Sequence, residues 1–349
     1  MTAIAAYPDD AAEAREARGL RGWLLFLILL VFAMVMVGGA TRLTESGLSI
    51  TEWNLVTGTV PPLDDAGWQA EFDLYKESPQ YQLQNRGMSL SAFKTIYWWE
   101  WAHRELGRFI GLAYIAGFFW FVGRRSVPMK TALILAGVGL LLGAQGVVGW
   151  VMVASGLEPG MTAVAPLKLT LHLTLAAFLF AALIALFVKL GGAIRETVPA
   201  GRRWAARLLV ALVFVQVALG GIVAGHNAGL ISSTWPLMDG QLVPEGLALL
   251  RPLWLNAFEN LTAIQFNHRL GAYVLAAAIL TYAFRMLRRG DGPSRSRAAL
   301  MALLIIVQMG VGIAALIQAV PTALALAHQA IAMILLFVLV WNASVFRTR

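Results

Sequence analysis

Cysteine is absent from this chain of 349 residues, and charged side chains are scarce. The absence of cysteine excludes disulfides, thiolate nucleophiles, thiolate-ligated haem and cysteine-ligated iron–sulfur clusters. Charged residues make up 13% of the chain and hydrophobic residues 59%, whereas a soluble domain is about a quarter charged and about half apolar. The composition therefore predicts a polytopic membrane protein surrounded by lipid.

The net charge of +8 does not indicate nucleic acid as a partner, because most basic residues lie in short loops between apolar runs. These loops and both termini fall on one side of the membrane if the chain has eight spans. The positive-inside rule places that side in the cytoplasm. The basic residues concerned are Arg15, Arg18, Arg21, Arg124, Arg125, Lys130, Lys189, Arg195, Arg202, Arg203, Arg207, Arg285, Arg288, Arg289, Arg295, Arg297, Arg347 and Arg349.

Eight apolar runs are long enough to cross a hydrocarbon core of about 30 Å, which takes about 20 helical residues. They lie at about 22–42, 98–122, 131–154, 168–190, 204–225, 263–285, 298–320 and 322–345. No small-residue cleavage site follows the first run, so we expect a retained span rather than a signal peptide. The pattern predicts an all-α integral membrane protein with eight transmembrane helices.

The second half of the chain repeats the first. Aligned pairs include Gly38-Gly39 with Gly220-Gly221, Trp53 with Trp235, His103-Arg104 with His268-Arg269, Gln145 with Gln308, Gly149 with Gly312, and His172 with His328. Each half has an even number of spans, so both halves have the same orientation and the repeat is parallel. We expect two tandem four-helix bundles with close helix contacts at small residues. The glycines expected at these contacts are Gly137, Gly139, Gly143, Gly146 and Gly149.

The repeat sets the predicted domain boundaries. Residues 1–21 form a cytoplasmic tail, and residues 22–190 form the N-terminal half with a long outer loop at 43–97. A cytoplasmic linker follows at 191–203. The C-terminal half occupies 204–346 and has an outer loop at 226–262. Tryptophans in the two outer loops suit an interfacial belt or a lid.

Four of the five histidines lie on the second, fourth, sixth and eighth spans, which all run from outside to inside. They are His103, His172, His268 and His328, each about one to two turns into its span. Matched depth in a repeat favours metal or haem ligation over four independent packing roles. Two histidines per half are too few for a closed zinc site, and copper more often recruits methionine or a third histidine. Two axial imidazoles from facing helices suit a haem iron.

Two arginines follow the outer-helix histidines directly. Arg104 and Arg269 are placed near the membrane interface, where a guanidinium can pair with haem propionates. Interfacial snorkelling is the alternative role. His226 ends the fifth span, and we interpret it as an ordinary interfacial residue.

One position distinguishes the two halves. Glu100 lies one helical turn before His103, and Gln265 occupies the equivalent position before His268. Ionisable groups inside a membrane are expensive and indicate a functional site, and a carboxylate here can move protons or stabilise developing positive charge. The alternative is that Glu100 pairs with Arg104 four residues later. The asymmetry places the chemistry in the N-terminal half.

Several of these stretches together resemble the haem A synthase family. The segments are Gly38–Trp53, Glu100–Arg104, Thr234–Gly240 and Phe266–Arg269, and the resemblance covers about residues 22–346. It is to the form found in proteobacteria and mitochondria, which has a long first outer loop. Some branches carry a cysteine pair in an outer loop, whereas this chain has none, so a thiol-based step is excluded here.

The resemblance implies an oxidoreductase of the bacterial inner membrane that converts haem O to haem A. The methyl group at ring position C8 becomes a formyl group by two hydroxylations and a dehydration. His103 and His172 are implied to hold the substrate haem, with Glu100 essential, and His268 and His328 to ligate a resident haem b. Implied partners are haem O synthase, an electron donor (ferredoxin-like or quinol) and the assembling cytochrome c oxidase, with homo-oligomerisation left open.

Two other classes of function remain alternatives. A di-haem membrane cytochrome would only relay electrons, and the difference between Glu100 and Gln265 favours the enzyme over it. A haem or small-molecule transporter is disfavoured by the parallel repeat and by the near absence of charge at mid-membrane depth.

Overall fold

The computed structural model describes residues 8–54, 57–124, 127–190 and 196–347, with side chains from residue 17 onward. Three of the predicted cytoplasmic basic residues, Arg125, Arg195 and Arg349, lie outside the described residues, as does the side chain of Arg15. The same holds for residues 1–7 of the predicted tail and 191–195 of the predicted linker.

The described part of the chain is almost entirely helical. Its eleven α-helices are α1 (Pro8–Leu43), α2 (Asp65–Lys76), α3 (Pro79–Leu83), α4 (Leu90–Gly123), α5 (Met129–Gly156), α6 (Pro166–Leu190), α7 (Ala200–Gly225), α8 (Asn256–Glu259), α9 (Leu261–Arg289), α10 (Gly292–Ile317) and α11 (Thr322–Val345). Two short strands, β1 (Glu196–Thr197) and β2 (Phe346–Arg347), pair in parallel with Glu196 opposite Phe346. Short 3₁₀ turns occupy Thr57–Thr59, Ala228–Leu230 and Leu253–Leu255.

Among the described residues, eight helices are long and apolar enough to cross a membrane: α1 from Ala17, α4, α5, α6, α7, α9, α10 and α11. The prediction of an all-α membrane protein with eight spans is confirmed. The eighth span agrees with its predicted bounds at both ends. It begins directly after Pro321, which has no amide hydrogen to donate within a helix.

Several predicted span boundaries were wrong. The first span begins at Ala17 rather than 22, α7 begins at Ala200 rather than 204, α9 ends at Arg289 rather than 285, and α10 begins at Gly292 rather than 298.

Two further differences have a cause that the structure shows. α4 begins at Leu90 rather than 98, because Ser89 caps it by accepting a hydrogen bond from the Ala92 amide (3.2 Å). α10 ends at Ile317 rather than 320. Ala319 and Val320 have φ angles of 56° and 59°, and this left-handed backbone turns the chain sharply before the next span.

The helices form two rings of four. In the N-terminal ring α1, α4, α5 and α6 each pack against two neighbours, and α7, α9, α10 and α11 repeat the arrangement. The rings join through α6 against α7 and through α11 against α6 and α1. Each half of the chain thus supplies one ring of four helices. The main core runs along the junction of the two rings, where Leu24, Ile184 and Leu336 are fully buried.

Two polar side chains tie α1 to the C-terminal bundle. The Gln329 amide donates to the Val35 carbonyl (2.6 Å). The Arg42 guanidinium donates to the Ala224 carbonyl and to Oδ1 of Asn227 (2.5 Å). These three hydrogen bonds lie at the cavity described below, so they fix the two bundles relative to each other beside the histidines.

The first outer loop is a small packed unit. Trp68, Phe72 and Tyr75 of α2 are buried against Phe93 and Tyr97 on the outer extension of α4. This aromatic cluster explains why α4 continues beyond its apolar run. The described part of this loop, 43–54 and 57–97, is therefore structured.

Candidate functional site

One continuous cavity of about 1430 Å³ enters both bundles and is lined by all four span histidines. His103 lies close enough to His172 for charges on the two rings to interact, and the same holds for His268 and His328. The structure thus brings the predicted residues together as one pair per bundle. The volume exceeds the roughly 300–1,000 Å³ of an ordinary small-molecule pocket, as expected for two large ligands.

Each histidine lies against a glycine of the neighbouring helix in its own bundle. A Cβ on Gly38 would lie 3.1 Å from Nε2 of His103, and one on Gly220 3.2 Å from Cε1 of His268. The two remaining histidines face α5 and α10 in the same way: a Cβ on Gly149 would lie 2.8 Å from Cε1 of His172, and one on Gly312 2.7 Å from Cε1 of His328. These glycines make the space that the imidazole rings occupy.

Glutamines contact three of the four imidazoles. Gln145 Nε2 is 3.3 Å from Nε2 of His172 and donates to the His172 carbonyl (3.0 Å). Gln308 Nε2 is 3.3 Å from Nε2 of His328. In α7, Gln216 Nε2 is 3.1 Å from Nδ1 of His268 and donates to the His268 carbonyl (3.0 Å). These amides hold the rings in fixed orientations.

The donor set fits an iron held by two imidazoles. Nδ1 of His172 and Nδ1 of His328 are buried without a hydrogen-bond partner, and a buried polar atom without a partner is costly unless a ligand satisfies it. Across the described residues, no three His, Cys, Asp or Glu side chains come close enough to hold a metal ion. A closed zinc site has no basis in that part of the chain.

Glu100 is buried and fully engaged. One carboxylate oxygen accepts from the Ser49 hydroxyl and the Ile50 amide (both 2.8 Å), and the other accepts from Arg104 at 2.6 Å and 3.1 Å. The pairing of Glu100 with Arg104, which the sequence left as an alternative, is therefore present. The carboxylate joins α4 to the loop that closes the outer end of the cavity.

Arg104 directs its guanidinium toward protein. Besides Glu100, it donates to the carbonyls of Ile50 (2.7 Å) and Glu52 (2.9 Å), and its guanidinium stacks on the Trp53 ring at 5.2 Å. The expected pairing with a propionate would have to compete with these bonds. Trp53 thus serves as part of the closing loop rather than as a belt residue.

In the C-terminal half, Gln265 and Arg269 hold the outer loop as Glu100 and Arg104 do in the N-terminal half, but the carboxylate is replaced by an uncharged amide. Gln265 donates to the carbonyls of Ser232 (2.9 Å) and Gly229 (3.2 Å), and its own Oε1 is buried without a partner. Arg269 donates to the carbonyls of Thr234 (2.8 Å) and Ser232 (3.0 Å). Both halves therefore use the same two positions to hold an outer loop, but only the N-terminal half uses a charged carboxylate.

The predicted close contacts along α5 are only partly confirmed. A Cβ on Gly139 would lie 2.9 Å from the Tyr114 ring, and Gly149 faces His172, but Gly137, Gly143 and Gly146 would meet nothing within 4 Å. The close-contact prediction was wrong for these three. Gly143 and Gly146 line the cavity instead, so they leave room for a ligand between α4 and α5.

The same two helix positions pack differently in the two bundles. α9 and α10 are in extensive contact, whereas α4 and α5 touch much less. The N-terminal bundle is therefore less tightly packed between these two helices than the C-terminal bundle.

His226, the remaining histidine, caps the C-terminus of α7, and its Nε2 is buried without a hydrogen-bond partner among the described residues.

Sequence reasoning missed the glutamines and the glycines that face the imidazoles. The repeat carried the signal in part, since Gln145, Gly149, Gln308 and Gly312 were aligned pairs. Which residue each glutamine contacts depends on how its helix is rotated about its own axis. The sequence does not give that rotation, because a glutamine in a span can bond to a side chain on any neighbouring helix.

Comparison with known proteins gives a consistent result. The chain matches the family described as "Cytochrome oxidase assembly protein" over residues 21–340. It is similar to the protein named "Heme A synthase" from Methylorubrum populi, with 50% identity over 93% of this chain and 86% of that one. Proteins of the same name from Azorhizobium caulinodans (48% identity, 95% of each chain) and Mesorhizobium japonicum (46%, 96% of this chain and 93% of that one) are similar as well. With the match spanning nearly its whole length, this chain belongs to the cytochrome oxidase assembly protein family.

Proposed function

We propose that this protein oxidises haem O to haem A for use by cytochrome c oxidase. Two matched histidine pairs in one cavity carry the proposal, and similarity to heme A synthases over nearly the whole chain supports it. In each hydroxylation a C–H bond of the C8 methyl group is replaced by a C–O bond, the hydrogen leaves as a proton, and the carbon loses two electrons to an oxidant. Loss of water from the doubly hydroxylated carbon leaves the formyl group.

The N-terminal bundle takes the substrate haem in this proposal. His103 and His172 are the residues that would hold its iron, with Gly38 and Gly149 giving their rings room. The sparse contact between α4 and α5 supports the assignment, because a substrate must enter and leave. The equivalent helices of the other bundle are closed against each other.

The C-terminal bundle would hold a resident haem b through His268 and His328. When bound, that haem supplies one-electron transfer to the substrate site. The protein's part is to fix the two imidazoles, which Gln216 and Gln308 contact at 3.1 Å and 3.3 Å. Arg269 keeps the outer loop closed over this site.

Glu100 is the catalytic carboxylate of the proposal. It lines the cavity and is held by four hydrogen bonds, from Ser49, Ile50 and Arg104. These donors fix the position of the carboxylate, which would balance positive charge developing on the methyl carbon. Arg104 orients the carboxylate and closes the outer loop, and a propionate of the substrate haem would pair with it by displacing some of these bonds.

The proposed setting is the bacterial inner membrane with both termini in the cytoplasm, from the distribution of basic residues. Haem O synthase would supply the substrate, and a ferredoxin-like protein or a quinol would exchange electrons with the C-terminal site.

The test is haem A formation. The full chain is expressed in a host that makes haem O but no haem A, and the extracted haems are separated by liquid chromatography and mass spectrometry. We expect haem A to appear. Recovery of haem B and haem O alone, with both histidine pairs intact, would instead support a di-haem electron-transfer cytochrome.

A further inference from the structure

The cavity extends farther along the N-terminal bundle than along the C-terminal one. From the histidine onward, its lining residues on α4 continue from His103 to Phe118, whereas those on the equivalent helix α9 continue from His268 to Leu275. At 1.5 Å of rise per residue these stretches are about 22 Å and about 10 Å long. We call the additional part, lined by residues 110–118 of α4 and 136–143 of α5, the α4–α5 groove.

The groove is open on one side, between α4 and α5. Ile115 and Leu140 line the cavity and yet are 53% and 77% exposed, which places them on its rim. Tyr114 is buried on the other side, where its hydroxyl donates to the Leu135 carbonyl and its ring stacks on Phe118 with centroids 6.2 Å apart. The groove therefore has a fixed aromatic wall and a side that faces the membrane.

Glycines keep this space free. A Cβ on Gly111, Gly143 or Gly146 would meet nothing within 4 Å. In the alignment that pairs His103 with His268 and Gly149 with Gly312, a larger residue stands at each equivalent position of the C-terminal half. The pairs are Gly111 with Ala276, Gly143 with Ile306, and Gly146 with Met309. The two bundles thus differ in sequence at the positions where their cavities differ in length.

The lining of the groove indicates an apolar ligand. Its cavity-lining positions carry glycine, alanine, leucine, isoleucine, phenylalanine and one tyrosine, whose hydroxyl is already bonded. A carboxylate buried there would be costly. The charged groups Glu100 and Arg104 lie at the opposite end of the cavity, against the outer loop. Propionates therefore suit the outer-loop end, and an uncharged substituent suits the groove.

We propose that the α4–α5 groove holds the isoprenoid chain of haem O and so selects haem O for the N-terminal bundle. Haem O carries a long hydroxyethylfarnesyl chain on a pyrrole ring that has no propionate, so the chain and the propionates leave the ring in different directions. The shorter cavity along α9 and α10 suits haem B, which lacks the chain. This inference rests on the proposed function, in which haem O is the substrate.

The groove selects by shape rather than by hydrophobic burial. Lipid tails are as apolar as the lining of the groove, so moving the chain out of the membrane gains little from the exclusion of water. A side chain that fills the groove would instead clash with the isoprenoid chain, as an added group does in a packed core. Filling the groove should therefore weaken the binding of haem O more than that of haem B.

The experiment compares haem O and haem B as probes of the full-length protein. The protein is purified in detergent from a host that makes no haem O, with the C-terminal haem in place, and each haem is titrated into it optically. Gly143→Ile introduces the residue of the C-terminal half. We expect the ratio of the haem O to the haem B dissociation constant to rise roughly 5- to 150-fold.

Gly137→Ile is the matched control. Gly137 lies on the same helix, a Cβ there meets nothing within 4 Å, and the residue does not line the cavity, so the ratio should stay at the wild-type value. The variant His103→Ala with His172→Ala measures the haem taken up by detergent and by the C-terminal bundle. If Gly143→Ile loses the b-type spectrum and so fails to fold, Gly111→Ala combined with Gly143→Ala carries the same comparison.

An unchanged ratio in the folded groove variant, or the same rise in Gly137→Ile, would overturn the proposal. The titration involves no turnover, so its result is independent of haem A formation. A protein that forms no haem A but shows the expected rise would contradict the proposed function and leave the groove as a site for the isoprenoid chain.

Discussion

Replacing Gly149 by alanine tests directly whether the glycines that face the histidines make room for the imidazole rings. The new Cβ would lie 2.8 Å from Cε1 of His172 and 3.4 Å from its Nδ1. Ordinary carbon contacts begin near 3.5 Å, so the ring has to move by roughly 0.7 Å. The carbonyl of His172 is held by Gln145 at 3.0 Å, and the following turns of α6 are buried, with Ala177 fully enclosed. The helix therefore does not shift readily, and the ring has to rotate.

The expected cost follows from overpacking. Inserting a methyl group into a packed site costs about 1–3 kcal/mol, which corresponds to roughly 5- to 150-fold weaker binding. For Gly149→Ala this loss should fall on the N-terminal haem. For Gly312→Ala, where a Cβ would lie 2.7 Å from Cε1 of His328, it should fall on the C-terminal haem.

The assay measures both sites in each variant. Haem A formation, with the extracted haem O and haem A, reports the N-terminal site, and the reduced-minus-oxidised b-type spectrum reports the C-terminal site. Gly137→Ala is the matched control on the same helix, because a Cβ there meets nothing within 4 Å and Gly137 does not line the cavity. The reasoning would be refuted if Gly137→Ala lost as much activity as Gly149→Ala, or if Gly312→Ala left the b-type spectrum intact.

Three other variants test single contacts. Glu100→Gln should fold and bind haem, since a glutamine fits the equivalent position, yet abolish haem A formation; retained activity in extracted haems would remove this carboxylate from the mechanism. Gln329→Leu removes the bond to the Val35 carbonyl and should destabilise the bundle junction by about 1 kcal/mol, seen as a lower unfolding temperature in detergent, whereas an unchanged temperature would contradict that role. Arg297→Ala removes the ion pair with Glu196, which keeps only the Ser294 hydroxyl as a donor. Because the two side chains are 16% and 14% exposed, we expect a loss of about 1–3 kcal/mol, below the 3–5 kcal/mol of a fully buried pair; a loss in thermal unfolding no larger than that of Arg297→Lys would count against it.

The spans and the histidine pairs were predictable from the sequence because both depend on local or repeated patterns. Hydropathy over about 20 residues identifies a span, and the repeat aligned His103 with His268 and His172 with His328 before any geometry was known. Helix ends were less predictable. The outer extension of α4 depends on aromatic packing against α2, which no local pattern contains.

The contacts of the site depended on tertiary structure. Ser49 and Ile50 donate hydrogen bonds to Glu100 across about fifty positions of chain. Only the folded structure therefore shows that this carboxylate holds the outer loop against α4. Gln216 was missed for a different reason. Its counterpart is Met34, and a position at which the repeat differs gives no alignment signal.

The central claim is that His103 and His172 hold the substrate haem and that His268 and His328 hold the resident one. Haem extraction from two double variants tests it most directly, in a host that supplies haem O. We predict that His103→Ala with His172→Ala loses haem O and haem A but keeps haem B and the b-type spectrum. His268→Ala with His328→Ala should lose haem B. The reverse pattern, or loss of the same haem from both proteins, would contradict the assignment.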